Sequence, residues 1–392
     1  MQKYLFIYNT TNALKKKNIR IIAMTALLAF SANVRAQVDF TPIFSQIKLE
    51  ARADFDYYHN TLNNSVLDNP YGFHGRYFNF VIGGPIGDKF SYFFRQRIVA
   101  QPGTVSLFDN TDFLYINYQP NPNIMFRFGK DALAVGGCEY DASPIDVLFS
   151  TYYWDNFYCF QPAVAMALKS DDGSRMLLAQ IANSPYVHYG AQLGYPMGQE
   201  WKSGLLSYNL FYTAKVGHFK VLHSINLFER PDHNYMNYIA LGHELDFGTW
   251  DIYLDFIHHA NGWKDWGKNF AIVSCANYQI SSDVSIFAKG AYEQNKSNEV
   301  LPGFGMTPTA ISNGFFDILG EAGHRYATYG LGVEYTPSFC TDFKMHLFLA
   351  NRQTWYDNNT ENSLQANLGI TWYMDIHKLA KHAIAKAKAE KN

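Results

Sequence analysis

Apolar and polar residues alternate along much of this chain with a period of two. Near the C-terminus, Leu364, Ala366, Leu368, Ile370 and Trp372 share one parity, and Gln365, Asn367, Gly369, Thr371 and Tyr373 share the other. Successive side chains of a strand point to opposite faces, so this segment reads as a strand with one apolar and one polar face. Trp250, Ile252, Leu254 and Phe256 alternate in the same way with Asp251, Tyr253, Asp255 and Ile257. The pattern predicts sixteen strands, at 45–58, 75–83, 89–99, 110–119, 123–130, 161–169, 175–183, 204–214, 219–229, 237–247, 249–258, 268–280, 283–293, 325–336, 342–354 and 363–373.

The connections carry further information. Every second one is a short turn of Gly, Pro, Asn, Asp and Ser, such as GPIGD at 84–88, SDDGS at 170–174 and FGT at 247–249. The others are mostly longer. A soluble sandwich has no reason to separate short and long connections over so many strands, whereas a membrane barrel does. In hydrocarbon no water pairs a free backbone edge, so such a sheet must close on itself. The expected fold is all-β: a transmembrane antiparallel β-barrel of 16 strands with long external loops and short periplasmic turns. Its apolar face would meet lipid and its polar face a water-filled lumen.

Composition agrees. Of 392 residues, 17% are aromatic and only 17% charged, against roughly 25% charged in soluble domains. Disorder is excluded by the apolar content. A helical membrane protein is not expected, given a mean hydropathy of −0.20 and the lack of a body segment of roughly 20 apolar residues.

The N-terminus sets the compartment. Lys15, Lys16, Lys17 and Arg20 precede an apolar run from Ile21 to Phe30, and Val34-Arg35-Ala36 follows. That is a signal peptide over 1–36, with cleavage after Ala36. An anchor helix is the alternative, disfavoured by the short apolar run. Residues 37–375 then form the barrel, and 376–392 form a basic periplasmic tail of helical pattern, solvated or touching anionic headgroups. Cleavage leaves 26 basic against 34 acidic residues, a net charge of about −8. Nucleic-acid binding by a bulk basic surface is therefore not expected.

Several charged residues fall on the inward parity. Arg95 and Arg97 share a face of the third strand, Arg127 lies between Phe126 and Phe128, and Arg52 follows Ala51. Together they predict a basic stripe, with Lys289 and Lys344 facing in from the far wall. A guanidinium fork donates two parallel hydrogen bonds to a phosphate or carboxylate. Glu244, Asp246, Asp251 and Asp255 give an opposing acidic wall, so a cross-lumen field with weak selectivity is the competing reading. The connection 131–160 holds Gly136 and Gly137 for a tight bend, the acids Glu139, Asp141 and Asp146, and the aromatics Tyr152, Tyr153, Trp154, Phe157 and Tyr158. It reads as an external cap or as a loop folded inward, where its rings would also suit sugars.

Other chemistry finds little support. His258 and His259 point to opposite faces of a strand, so no metal site is expected. Gly129-Lys130 lacks phosphate-loop spacing, and no Gly-x-Ser-x-Gly occurs. No cofactor is expected. Cys138 and Cys159 lie in or beside one loop and could form a disulfide in an oxidising compartment, whereas Cys275 and Cys340 are expected free.

EARADFDYYHN (50–60), FFRQRI (93–98), TDFLYINY (111–118), FRFGKD (126–131) and GGCEYDASPID (136–146) resemble the phosphate-selective porin O/P family of Bacteroidetes-type bacteria. The resemblance implies a sixteen-stranded homotrimeric barrel in outer-membrane lipid and makes the third long connection, 131–160, a constriction loop. It also implies an inward arginine ladder, for which Arg95, Arg97 and Arg127 are the nearest candidates. The function expected is passive diffusion of small hydrophilic solutes, with anions such as phosphate favoured. A general or sugar-selective porin is the alternative, followed by an outer-membrane enzyme or a surface adhesin.

Overall fold

Backbone pairing joins the alternating segments edge to edge into a closed wall. The computed structural model describes residues 45–67, 69–98, 108, 110–157, 159–185, 204–229, 234–260, 267–296, 323–376 and 378–379. The expected signal segment, Tyr158 and most of the expected tail lie outside the described residues. The strands are β1 (Gln46–Leu62), β2 (Ser65–Val66), β3 (Tyr71–Ile86), β4 (Phe90–Arg97), β5 (Thr111–Asn121), β6 (Ile124–Ala132), β7 (Phe160–Lys169), β8 (Arg175–Asn183) and β9 (Leu206–Val216). They continue as β10 (Phe219–Glu229), β11 (Tyr235–Asp246), β12 (Trp250–Ala260), β13 (Asn269–Gln279), β14 (Val284–Asn295), β15 (Arg325–Tyr335), β16 (Phe343–Tyr356) and β17 (Asn359–Asp375).

β2 is a two-residue extension folded back on the end of β1, with Thr61 opposite Val66. The other sixteen strands are the wall. Each pairs antiparallel with its sequence neighbours, β1 meets β3, and β17 returns to β1 from Lys48↔Asp375 to Leu62↔Glu361. No edge strand is left open, which is the condition for a sheet in hydrocarbon. All sixteen predicted segments are wall strands.

Some strands run further than their alternation. β17 begins at Asn359 and β16 ends at Tyr356, so a tight turn at 357–358 replaces the longer connection expected there. The added stretch NTENS is polar on both parities. A rim standing in water needs no apolar face, so alternation stops before the strand does.

The outward parity is exposed and apolar, as at Leu347, Leu349, Leu368, Ile370 and Leu331. At the end with the short turns, Phe90 stacks on Tyr118 at 4.8 Å and Trp250 packs on Tyr278 at 4.5 Å. Amphipathic rings at that level suit a membrane–water boundary.

The inward face carries many polar residues, but small apolar patches lie on β6 to β9 and on β16, and a larger one on β10 to β13. There Phe228, Met236, Tyr238, Ala240, Ile257 and Ala271 point inward and are buried beneath Leu133, Val135, Tyr153 and Phe157. The expectation of a wholly polar inner face fails here because the connection between β6 and β7 runs inside the barrel and carries its own apolar core. Burying one such side chain contributes roughly 1.5–3 kcal/mol, enough to hold the segment against the wall.

Candidate functional site

The site grows from the segment 133–159. It leaves β6 along the inner wall, where Ala134 N donates to Gln180 Oε1 at 2.8 Å and Gly136 N to Ser224 Oγ at 2.8 Å. Asn226 Nδ2 donates in turn to the Ala134 carbonyl at 2.9 Å. Gly136 runs so close that a Cβ there would sit 2.5 Å from the Leu222 carbonyl oxygen. Gly137 has φ 106, a conformation open to glycine. The two glycines therefore serve different needs, close approach and backbone reversal.

Two short helical turns follow, α1 (Cys138–Asp141) and α2 (Tyr152–Asn156). Each begins on a buried carboxylate from the far wall. Asp255 of β12 accepts from Cys138 N at 2.7 Å and Glu139 N at 2.8 Å. Glu293 of β14 accepts from Tyr152 N and Tyr153 N, both at 2.9 Å. The first N–H groups of a helix lack intrahelical partners, and a carboxylate satisfies them with charge-assisted bonds.

Cations hold the carbonyls between these turns. Arg52 donates to the carbonyls of Ile145 at 3.2 Å and Val147 at 2.8 Å, and forks onto Asp54. Lys289 bonds Glu139 at 2.6 Å and the Phe149 carbonyl at 2.7 Å. Arg352 donates to the Ser150 carbonyl at 2.6 Å and Asp155 at 3.3 Å. Lys344 pairs with Asp146 at 3.1 Å, and Tyr373 donates to the same carboxylate. Arg52, Lys289, Lys344 and Asp255, picked from the sequence as charges on opposed walls, meet instead on this one segment.

Arg95, Arg97 and Arg127 form a separate group on β4 and β6. Arg95 and Arg97 both bond Asp112, at 2.9 Å each. Arg127 pairs with Asp131 at 2.7 Å and donates to Asn117 at 2.8 Å. Aromatic rings cover their planar faces: Arg95 lies 4.6 Å from Phe113 and Arg127 4.0 Å from Tyr115. They line a cavity of about 660 Å³ together with Tyr77, Tyr140 and Trp154.

A second cavity, about 500 Å³, lies toward the turn end and is lined by Asp141, Asp146, Glu244, Asp251 and Glu334. Lys220 bridges Asp141 and Glu244 at 3.0 and 3.3 Å. Lys344 bridges Asp146 and Glu334 at 3.1 and 3.3 Å. The expected acidic wall divides: Glu244 and Asp251 line this chamber, Asp255 anchors α1, and Asp246 ends β11 beside a short turn, 3.6 Å from Lys215.

All four cysteines are free, so the Cys138–Cys159 disulfide that the sequence left open is not formed. Cys138 is pinned to β12 through its N–H. Cys159 stays at the root of the segment, its carbonyl accepting from Leu133 N at 2.9 Å. Sequence reasoning also missed Asp112, Glu293, Arg352, Lys220 and Arg76, the last of which pairs with Asp54 at 3.3 Å and with Asp56. Inward parity was the available signal for Glu293, Arg352 and Lys220, whereas Asp112 and Arg76 stand at register shifts of β5 and β3 that parity does not reveal.

Residues 46–265 match the sequence profile of the family described as phosphate-selective porin O and P. No curated protein sequence matches the chain. In structure it is similar to the outer membrane channel DcaP of Acinetobacter baumannii, with 11% identity, a TM-score of 0.58, and coverage of 84% of this chain and 96% of that one. It is also similar to OmpT of Vibrio cholerae, with 11% identity, a TM-score of 0.50, and coverage of 84% and 97%. At such identities the likeness is one of fold.

Proposed function

This chain belongs to the phosphate-selective porin O and P family and is an outer-membrane porin, and from that premise we propose that small hydrophilic anions such as phosphate are its favoured solutes. The observation that supports this is the sharing of one carboxylate, Asp112, by two guanidiniums, Arg95 and Arg97. One positive charge is left over on the lumen wall, beside Arg127. Arginine suits the task because its rigid fork matches phosphate and carboxylate oxygens. Passage is passive diffusion through water, and the segment 133–159 is the constriction. In this reading Arg52, Lys289 and Asp255 set the width of the passage by holding that segment, and Arg95, Arg97 and Arg127 set its preference.

Reversal potentials in a KCl gradient across a planar bilayer test the reading. Anion preference is expected, and Arg95→Gln, Arg97→Gln and Arg127→Gln together should reduce it. A cation-preferring channel would overturn the proposal. It would favour the second reading, a weakly selective or cation-preferring passage, which the acidic chamber supports. Family membership also supports a homotrimer in outer-membrane lipid, countable by crosslinking in detergent. Export through residues 1–36 would leave a mature chain beginning at Gln37, readable by mass spectrometry.

A further inference from the structure

We propose that the arginine-lined cavity selects amphipathic organic anions, with a carboxylate or phosphate group on an apolar or aromatic body, over inorganic phosphate. This rests on the anion reading above and narrows its solute class. The cavity beside Arg95, Arg97 and Arg127 is also lined by the half-buried rings of Phe113, Trp154, Phe160 and Phe211, with Asp131, Asp141 and Asp155 already paired to Arg127, Lys220 and Arg352, and encloses about 660 Å³. That volume is typical of a small-molecule site. Apolar wall in a wet lumen is unfavourable, and a solute that covers it is favoured at about 25 cal/mol per Å². Inorganic phosphate, hydrated on every side, has nothing to cover it with.

The arginines are oriented for such a solute. Rings lie over their planar faces, with Arg97 5.6 Å from Phe160 and Arg127 4.0 Å from Tyr115. Only guanidinium edges remain to bind an oxyanion. Arg97 reaches Asp112 through Nε, and no described residue accepts from its two terminal nitrogens. An oxyanion there would receive a forked pair of hydrogen bonds, with its apolar body directed at the half-buried Phe211.

Single-channel recording of the full-length protein tests the idea, with benzoate, acetate and inorganic phosphate added in turn at neutral pH. Benzoate and acetate carry the same charge and differ in the ring. Benzoate should block the current with residence times at least about tenfold longer than acetate, as partial burial of a phenyl group implies. Arg97→Gln and Phe211→Ser should each bring the benzoate residence time down to that of acetate. Equal residence times in the unaltered channel would overturn the proposal, as would benzoate block insensitive to both substitutions. Reversal potential reads the anion preference separately. A channel that prefers cations yet holds benzoate longer than acetate sinks the anion reading and keeps the pocket. A channel that prefers anions but treats the two alike does the opposite.

Discussion

Replacing Asp255 with alanine should loosen the segment that crosses the lumen. Its carboxylate is fully buried and accepts the first two N–H groups of α1, at 2.7 and 2.8 Å. Hydrogen bonds to a charged acceptor contribute about 1.5–3 kcal/mol each, giving an upper bound of about 3–6 kcal/mol for the pair. Two effects reduce this. Removing a buried charge recovers its desolvation cost, and water in the lumen can reach the stranded N–H groups. A loss of about 2–3 kcal/mol of docking is the reasonable expectation. At about 1.4 kcal/mol per factor of ten, the undocked population rises roughly 30- to 150-fold. Arg52, Lys289, Glu293 and Arg352 still hold the rest of the segment, so the change is partial. Single-channel recordings should show frequent brief steps to higher conductance in Asp255→Ala, and fewer in Asp255→Asn, which keeps one acceptor oxygen. Adding Glu293→Ala frees α2 as well and should turn the steps into a steady increase. An Asp255→Ala channel as quiet and as narrow as the parent would refute the claim that this carboxylate anchors a constriction.

Three further outcomes follow from the same contacts. Arg52→Met removes the donors to Ile145 and Val147 and strips Asp54 of its forked partner; breaking such a buried pair costs about 3 kcal/mol or more, visible as a lower temperature for loss of the folded band on gels. Gly242→Ala would place a Cβ 2.8 Å from Gly137 Cα and 2.9 Å from Cys138 N, so the segment must shift from β11 and the mean conductance should change; an unchanged conductance would place the segment elsewhere. All four thiols should react with a maleimide after unfolding and few before it, since Cys138 and Cys275 are buried and burial pushes Cys159 up to about 12; two reactive thiols after unfolding would mean a disulfide.

The wall was legible because lipid outside and water inside impose one period on every strand. Leu364 to Tyr373 shows it cleanly. The rim was not, because Asn359 to Ser363 stand in water on both faces and leave no alternation to read. The inner apolar patch left a trace that was easy to pass over. Phe256 and Ile257 are adjacent and both apolar, as are Ile239 and Ala240, so both faces of β11 and β12 avoid water there. In a barrel that means something covers the inner face, and here it is the segment bearing Tyr153 and Phe157. The ion pairs lay deeper. Asp112 reaches Arg95 and Arg97 only because the β4–β5 register shifts between Arg95 and Gln96, and periodicity alone does not place a bulge. Glu139 meets Lys289, 150 residues away, along a path that no local pattern encodes.

These pairings change how selectivity should be argued from inward charges. A cation and an anion in contact act on a passing ion as a dipole, which fades faster than a free charge. What remains is the remainder of unequal sharing. On β4 two arginines share Asp112 and leave one positive charge. At the turn end Lys220 and Lys344 each bridge two carboxylates, and each leaves one negative charge. Asp251 adds to them from β12, the eleventh wall strand, which stands halfway round the barrel from β4, the third. The residual charges are therefore separated both around the wall and along the axis. At physiological ionic strength screening acts over about 8 Å, so each wall is felt mainly by the ion travelling beside it. The chain's overall acidity then says little about what passes. On the proposed reading, a small anion keeping to the β4–β6 side meets the positive remainder first, and the width left by the segment 133–159 decides whether it can keep to that side.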